Sequence, residues 1–295
     1  MNNYDDILNN APDEGQSGQL SKEEYAARKK AERDEVFTLS DTTAQEVAGD
    51  GGKFQQYLDV QSKFDRYSAV NALLILAQKP EAARLGDFGY WKNLGGYIKP
   101  GQSGFCILEP HEYTKEDGTP GTGYNLKKVF DISQVDARKI KATPQLNYTN
   151  RQLLSALISK APMKISGANE LPDGNKAITN PETGEITVCK GMEFTDTFKS
   201  VSQELGYYEA DRNSDKIPVN PSFIGYCTAY ILCKKYGVDT QSFNFDKTPD
   251  IFHDLTPQGI KQELSIIRDA AESIAERMAK HLEAAQKAVK NQESR

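Results

Sequence analysis

From Thr256-Pro257 onward one apolar stripe governs the chain: Ile260, Leu264, Ile267, Ala271, Ile274, Met278, Leu282, Ala285 and Val289 recur every three or four residues. That period puts them on one face of an α-helix. Thr256 as N-cap, with Pro257 at the first helical position, sets where the helix starts. A helix so long and polar on its other faces has two ways to cover its stripe. It packs back on the rest of the chain, or it holds a partner protein.

Upstream, helical and strand textures alternate, which predicts an α+β protein of two domains behind an acidic tail. The tail, 1–35, opens rich in Asn, Asp, Gly, Ser and Gln and reads as largely disordered; a capping box at Ser21 and Glu24 starts a charged helix to about Arg33. The first domain spans 36–140. After a turn at Gly49-Asp50-Gly51-Gly52, two apolar stripes (Phe54 to Phe64, Val70 to Leu76) mark helix over 53–78. From Phe88 to Leu108 aromatic and β-branched residues broken by glycine predict short strands at Tyr90-Trp91, Tyr97-Ile98 and Phe105–Leu108. Residues 114–124 read as a polar hairpin tip, and 128–132 as a further strand. A linker, 141–148, leads to the second domain, 149–290. There the sequence predicts a helix at 149–160 capped by Thr149 or Asn150 and a hairpin of Ala177–Thr179 with Glu185–Val188. A helix with core face Phe198, Val201, Leu205 and Tyr208 follows, then one over 221–236 ended by Gly237.

At 295 residues the chain can bury two modest cores, and its hydrophobic fraction of 38% leaves part of the length solvated. No apolar run reaches the length of a membrane span, and MNNYDDILNN has neither a basic nor an apolar leader region. The expected location is the cytoplasm, with no membrane contact. Cys106, Cys189, Cys227 and Cys233 show no C-x-x-C pairing and are expected as free thiols. The net charge of −6 is uneven: 1–48 and 161–256 are acidic, whereas 49–160 is mildly basic. Only that block attracts a polyanion.

Binding of a single strand needs cations along the backbone and aromatic faces for the bases. Lys53, Lys63, Arg66, Lys79, Arg84, Lys92, Lys99, Lys127 and Lys128 supply charge; Tyr67, Tyr90, Trp91 and Tyr97 supply faces. Lys92 beside Trp91, and Lys99 two residues after Tyr97, give the interleaving a sheet face would show. The lone Trp has a competing role as a core residue. Gly95, Gly96, Gly101 and Gly104 lie among strands and open no helix, so they are turn residues rather than a phosphate cradle.

In the second domain Gln203-Glu204-Leu205-Gly206-Tyr207 has the outline of the zinc-protease helix H-E-x-x-H with both histidines replaced. Only the general base, Glu204, remains. The carboxamide of Gln203 and the phenol of Tyr207 are poor zinc ligands beside imidazole. The three histidines, His111, His253 and His281, fall in three different elements. No metal and no cofactor are expected, and Glu204 reads as a retained helix residue in a polar cleft.

Two ordered motif series carry a family resemblance. The first runs Tyr67-Ser68, Asn71, Leu73 to Gln78 and Pro80, then Phe88, Trp91-Lys92, Leu94-Gly95, Ile98-Lys99, Gly101, Gly104 and Val129 to Gln134. The second runs Asn180 to Thr183, Lys199 to Tyr207, Ala229 to Cys233 and Gly237 to Thr240. Together, over roughly residues 34–285, the chain resembles the ArdC/LtrC-type antirestriction proteins of plasmids and conjugative elements. The resemblance implies an N-terminal single-stranded-DNA-binding domain, to whose contacts it adds Asn71, and a C-terminal zincin-like metallopeptidase domain. It places the third, acidic zinc ligand near Gly225 or Tyr226. With all three ligand positions replaced, the implied protein is a single-stranded-DNA-binding protein of a mobile element with an inactive metallopeptidase-like domain. Two alternatives stand beside it: a protein-interaction module using the metal-free cleft, and a residual metallopeptidase with non-standard ligands.

Overall fold

The computed structural model describes residues 21–141, 147–180, 182–212 and 218–293, with side chains to 287. The expected tail over 1–20, most of the expected linker, Pro181 and the side chain of Val289 lie outside them. The chain forms two compact units, one ending at Glu35 and one comprising Val36–Arg295. The first helix among the described residues, α1 (Lys22–Gly49), starts on the expected capping box: Ser21 N donates to Glu24 Oε2 at 2.8 Å and Glu24 N to Ser21 Oγ at 3.1 Å. It continues past Arg33 to Gly49, with Ser40, Thr43, Ala44, Val47 and Ala48 buried along its later turns.

The helical stretch expected over 53–78 is two helices, α2 (Gly51–Lys63) and α3 (Ala69–Gln78). Ser68 restarts the helix by accepting from Asn71 N at 3.2 Å, as Asp50 starts α2 by accepting from Lys53 N at 2.7 Å. Next come β1 (Leu85–Gly86), α4 (Phe88–Asn93), β2 (Tyr97–Ile98), β3 (Phe105–Thr114), β4 (Pro120–Asp131) and β5 (Val135–Asp136). The expected strand at Tyr90-Trp91 is thus a correction. The Asp87 side chain accepts from Tyr90 N at 2.7 Å, and that N-cap begins α4 with both aromatics inside it. A local cap overrides β-propensity here. β3 and β4 pair in unbroken antiparallel register from Phe105↔Val129 to Thr114↔Pro120, so most of 114–124 is ladder. β1 joins the far edge of β4, while β2 and β5 form a separate two-residue pair, Tyr97↔Asp136 and Ile98↔Val135.

In the second half α5 (Asn150–Ile158) is capped by Thr149 and Gln152. β6 (Lys164–Ala168), β7 (Ala177–Asn180) and β8 (Glu185–Cys189) form a sheet in the order β6-β8-β7, with β6 parallel to β8 and the expected hairpin antiparallel. Then follow α6 (Phe194–Arg212), α7 (Pro221–Tyr236), α8 (Thr248–Phe252) and α9 (Pro257–Glu293). Gly237 ends α7 at φ 71°, a left-handed cap that glycine adopts without strain.

The fold is α+β, and α9 organises its cores. Ile260, Leu264, Ile267 and Ala271 pack with α2, α3, the base of β3–β4 and α7, around Phe54, Tyr57, Leu73, Ile107 and Tyr230. Farther along the same stripe, Ile274, Met278 and Leu282 pack with α5, α6 and β8, around Leu157, Ile186, Phe198 and Leu205. The stripe therefore packs back on its own chain. The first core also draws α7 onto α2, where Asp59 Oδ1 accepts from Tyr230 Oη at 2.8 Å and pairs with Lys234 at 2.8 Å. A third, small core of Trp91, Phe130 and Val135 lies under β2–β5. The four cysteines are free thiols. Among the described residues no helix is long and apolar enough to cross a membrane.

Candidate functional site

A groove of about 1070 Å³ opens beside α3 and the β3–β4 hairpin. It brings together five of the expected residues, Arg66, Tyr67, Asn71, Tyr90 and Lys127, with Phe37, Tyr124, Lys261 and Arg268 that the sequence did not single out. Lys261 and Arg268 come from α9, far away in sequence, so no local signal could have placed them. The rings are partly available: Tyr90 and Tyr124 are each 40% exposed, and Tyr67 is half-buried against Phe64. Arg84 lies over the Tyr90 ring at 5.6 Å and donates to its hydroxyl. Most cations of the groove are engaged with carboxylates. Lys127 bridges Glu109 at 2.7 Å and Asp87 at 3.2 Å, Lys261 meets Asp41 at 2.5 Å, and Arg268 meets Asp269 at 2.7 Å and Glu272 at 2.9 Å. Arg66 is exposed and forms no ion pair among the described residues.

Asn71 lines this groove but does not offer its amide. Its Nδ2 donates to Leu108 O at 2.9 Å and its Oδ1 accepts from Leu108 N at 2.8 Å, both buried. Gln78, two turns later, makes the same pair of bonds to Cys106. The two side-chain amides replace a neighbouring strand along the open edge of β3. The expected role of Asn71 as a DNA contact gives way to this one.

Four more of the expected residues, Trp91, Lys92, Tyr97 and Lys99, fall on the small lobe. Trp91 is fully buried and its Nε1 donates to Phe130 O at 3.0 Å, so it is the centre of the lobe's core and not a stacking platform. Around it Lys92, Tyr97 and Lys99 are exposed, Tyr97 by 62%. Lys99 Nζ donates to Ser133 O at 2.8 Å. Asp136, the β-partner of Tyr97, is held down to about 2, chiefly by hydrogen bonds from Arg138, with Lys99 adding to the field. Lys63, exposed on α2, lines neither surface.

The zinc-helix outline meets a different fate. α6 and α7 cross at glycines: a Cβ on Gly225 would lie 2.4 Å from Gln203 O and 3.0 Å from Tyr207 N, and one on Gly206 would meet Thr228 at 2.6 Å. The backbone of Gln203–Tyr207 thus occupies the space that a ligand side chain at 225 would need. Tyr226 turns its hydroxyl to accept from Asn244 N at 2.8 Å and packs among Phe243 and Phe245. Glu204 Oε2 accepts from Thr179 N at 2.9 Å, on the outer edge of the sheet formed by β7. Burial raises its pKa above the ordinary 4.5, against the pull of the Thr179 bonds. Among the described residues no three His, Cys, Asp or Glu side chains gather as a metal group. The residues present do not fit a zincin metal site.

No curated protein matches the chain. Solved structures similar to it include two of one protein. One is the metal-free crystal structure of the antirestriction ArdC protein from plasmid R388, 19% identical over 72% of this chain and 86% of that one, with a TM-score of 0.49. The other is the Mn(II)-bound structure of the same protein, 17% identical over 73% and 85%, with a TM-score of 0.47. Residues 41–145 match the family described as the N-terminal domain of anti-restriction factor ArdC. The matched segment begins in the later turns of α1 and extends past β5.

Proposed function

We propose that this protein binds single-stranded DNA through its first half, with little sequence preference, in a role related to antirestriction on a mobile element. The observation that carries the reading is the match of residues 41–145 to the N-terminal domain of an anti-restriction factor. Exposed cations next to exposed rings on that half supply the chemistry a single strand requires. A titration of the protein with fluorescent single-stranded and duplex oligonucleotides at several salt concentrations tests it. Tighter binding of the single strand, weakening with salt, is expected; no binding of the single strand would sink the reading.

The second half, on this proposal, is a metallopeptidase-like scaffold without peptidase chemistry. Gln203 and Tyr207 stand at the ligand positions, and Gly225 has no room for a side chain. Without a metal to activate water, Glu204 lacks its partner in the reaction and serves the β7 edge. Elemental analysis after incubation with zinc or manganese and dialysis provides the check, and stoichiometric retention would overturn this part. A partner protein on the second half has weaker support, because the α9 stripe through Leu282 is already buried.

A further inference from the structure

We propose that the single strand runs over the β2–β5 lobe, with a base stacked on Tyr97 and phosphates on Lys92, Lys99 and Lys139, and not in the larger groove. The proposal rests on the single-stranded-DNA reading above and assigns it a surface. Charge decides between the two places. Residues 88–108 contain no Asp or Glu, and 132–141 contain only Asp136; the same two segments carry Lys92, Lys99, Arg138, Lys139 and Lys141. Asp136 is already neutralised by Arg138 at 2.5 Å. In the groove, by contrast, Lys127, Lys261 and Arg268 each hold a carboxylate, which an incoming phosphate would have to displace.

The fold brings the two acid-poor segments together. The ladder pair Tyr97↔Asp136 sets β5 against β2, and the chain then turns at Ala137, where Ile140 N donates to Ala137 O at 2.9 Å. That turn lays the Lys139 side chain against Gly95, 3.6 Å from where a Cβ would stand, between the helix bearing Lys92 and the strand bearing Tyr97. Lys139 is exposed and forms no ion pair among the described residues. Among the described residues Tyr97 is the most exposed of the large hydrophobic side chains, and Leu94 beside the turn is 38% exposed. An apolar ring rimmed by cations, over a lobe made rigid by buried Trp91, is a stacking platform with an electrostatic border. Sequence spacing hid Lys139, which falls next to the expected linker.

The test is a fluorescence-anisotropy titration of the full-length protein with a labelled 20-nucleotide oligothymidylate over a range of salt. Lys139→Gln should weaken binding severalfold and reduce the slope of log affinity against log salt by about 0.7, the share of one phosphate contact. Tyr97→Ala should weaken binding roughly tenfold, with Trp91 emission and the melting temperature reporting that the lobe stays folded. Lys127→Gln, in the groove, should change affinity by less than about twofold. Parent-like binding by both lobe variants, with loss in Lys127→Gln, would overturn the proposal and move the site to the groove while single-stranded-DNA binding stands. A parent protein that ignores the oligonucleotide would overturn the function itself, a separate result.

Discussion

Asp131 and Glu204 are both carboxylates drawn from water, and their neighbours drive them in opposite directions. Burial raises Asp131, but hydrogen bonds from Ser133, Arg84 and Ala83 outweigh it and hold the group below its ordinary 3.8. Its contribution is present above pH 3.8 and is lost as pH falls through the depressed value. Glu204 is raised, so the folded state holds its proton longer and stability falls as pH climbs from about 4.5. Urea unfolding of Asp131→Asn and Glu204→Gln across pH 3 to 7 checks both signs. The first variant should lose the acid-side rise in stability, and the second should lose the decline above about pH 4.5. Gly225 makes a steric prediction. Gly225→Ala should destabilise by about 2 kcal/mol, because its Cβ meets backbone that cannot swing aside as a side chain would. A melting temperature at or above the parent's would refute the close crossing. The motif around Glu204 was legible in the sequence; the reason for glycine at 225 was not, because it depends on which backbone lies opposite.

Among the elements, α3 shows how a recognised motif changes meaning once it folds. Asn71 and Gln78 are visible in the sequence as part of an ordered series, yet their work is to pair the open edge of β3 at Leu108 and Cys106. Asn71→Ala should therefore cost roughly 2–3 kcal/mol, since it strands a buried N–H and C=O. Chemical denaturation measures it, and a loss under about 0.5 kcal/mol would contradict the edge role. α4 taught the opposite lesson. Its aromatic pair promised a strand, and one carboxylate cap at Asp87 made a helix that turned Trp91 inward. Caps were readable wherever a polar residue preceded an apolar period, as at Thr149 and Thr256; strands as short as β1 and β5 were harder. Two residues cannot show a period.

For the whole molecule, the expected division at 141–148 is a division of sequence motifs, while packing runs across it. α2 and α3 share a core with α7 and the first half of α9, and the second half of α9 enters the other large core. Unfolding of Val36–Arg295 should accordingly be one cooperative transition. Emission of the single Trp, in the first half, and far-UV circular dichroism, dominated by helices of both halves, should report the same midpoint. Two separated midpoints would show that the halves unfold independently. Leu264→Ala and Met278→Ala, one in each core, should each lower that common midpoint, at a cost of about 2–5 kcal/mol.

By itself the sequence determined the helices that carry a clear period and cap, the β7–β8 hairpin, the absence of both imidazoles beside Glu204, and the mildly basic balance of residues 49–160. Those properties are local: they depend on spacings of two to four residues and on side-chain chemistry alone. Only the tertiary structure decided that the α9 stripe is covered by its own chain, that Trp91 and Asn71 are structural, that most of the groove's cations are already paired, and that Lys139 lies against Gly95, near Tyr97. Each of these depends on which distant residue lies within a few ångströms, and a linear pattern does not carry that information.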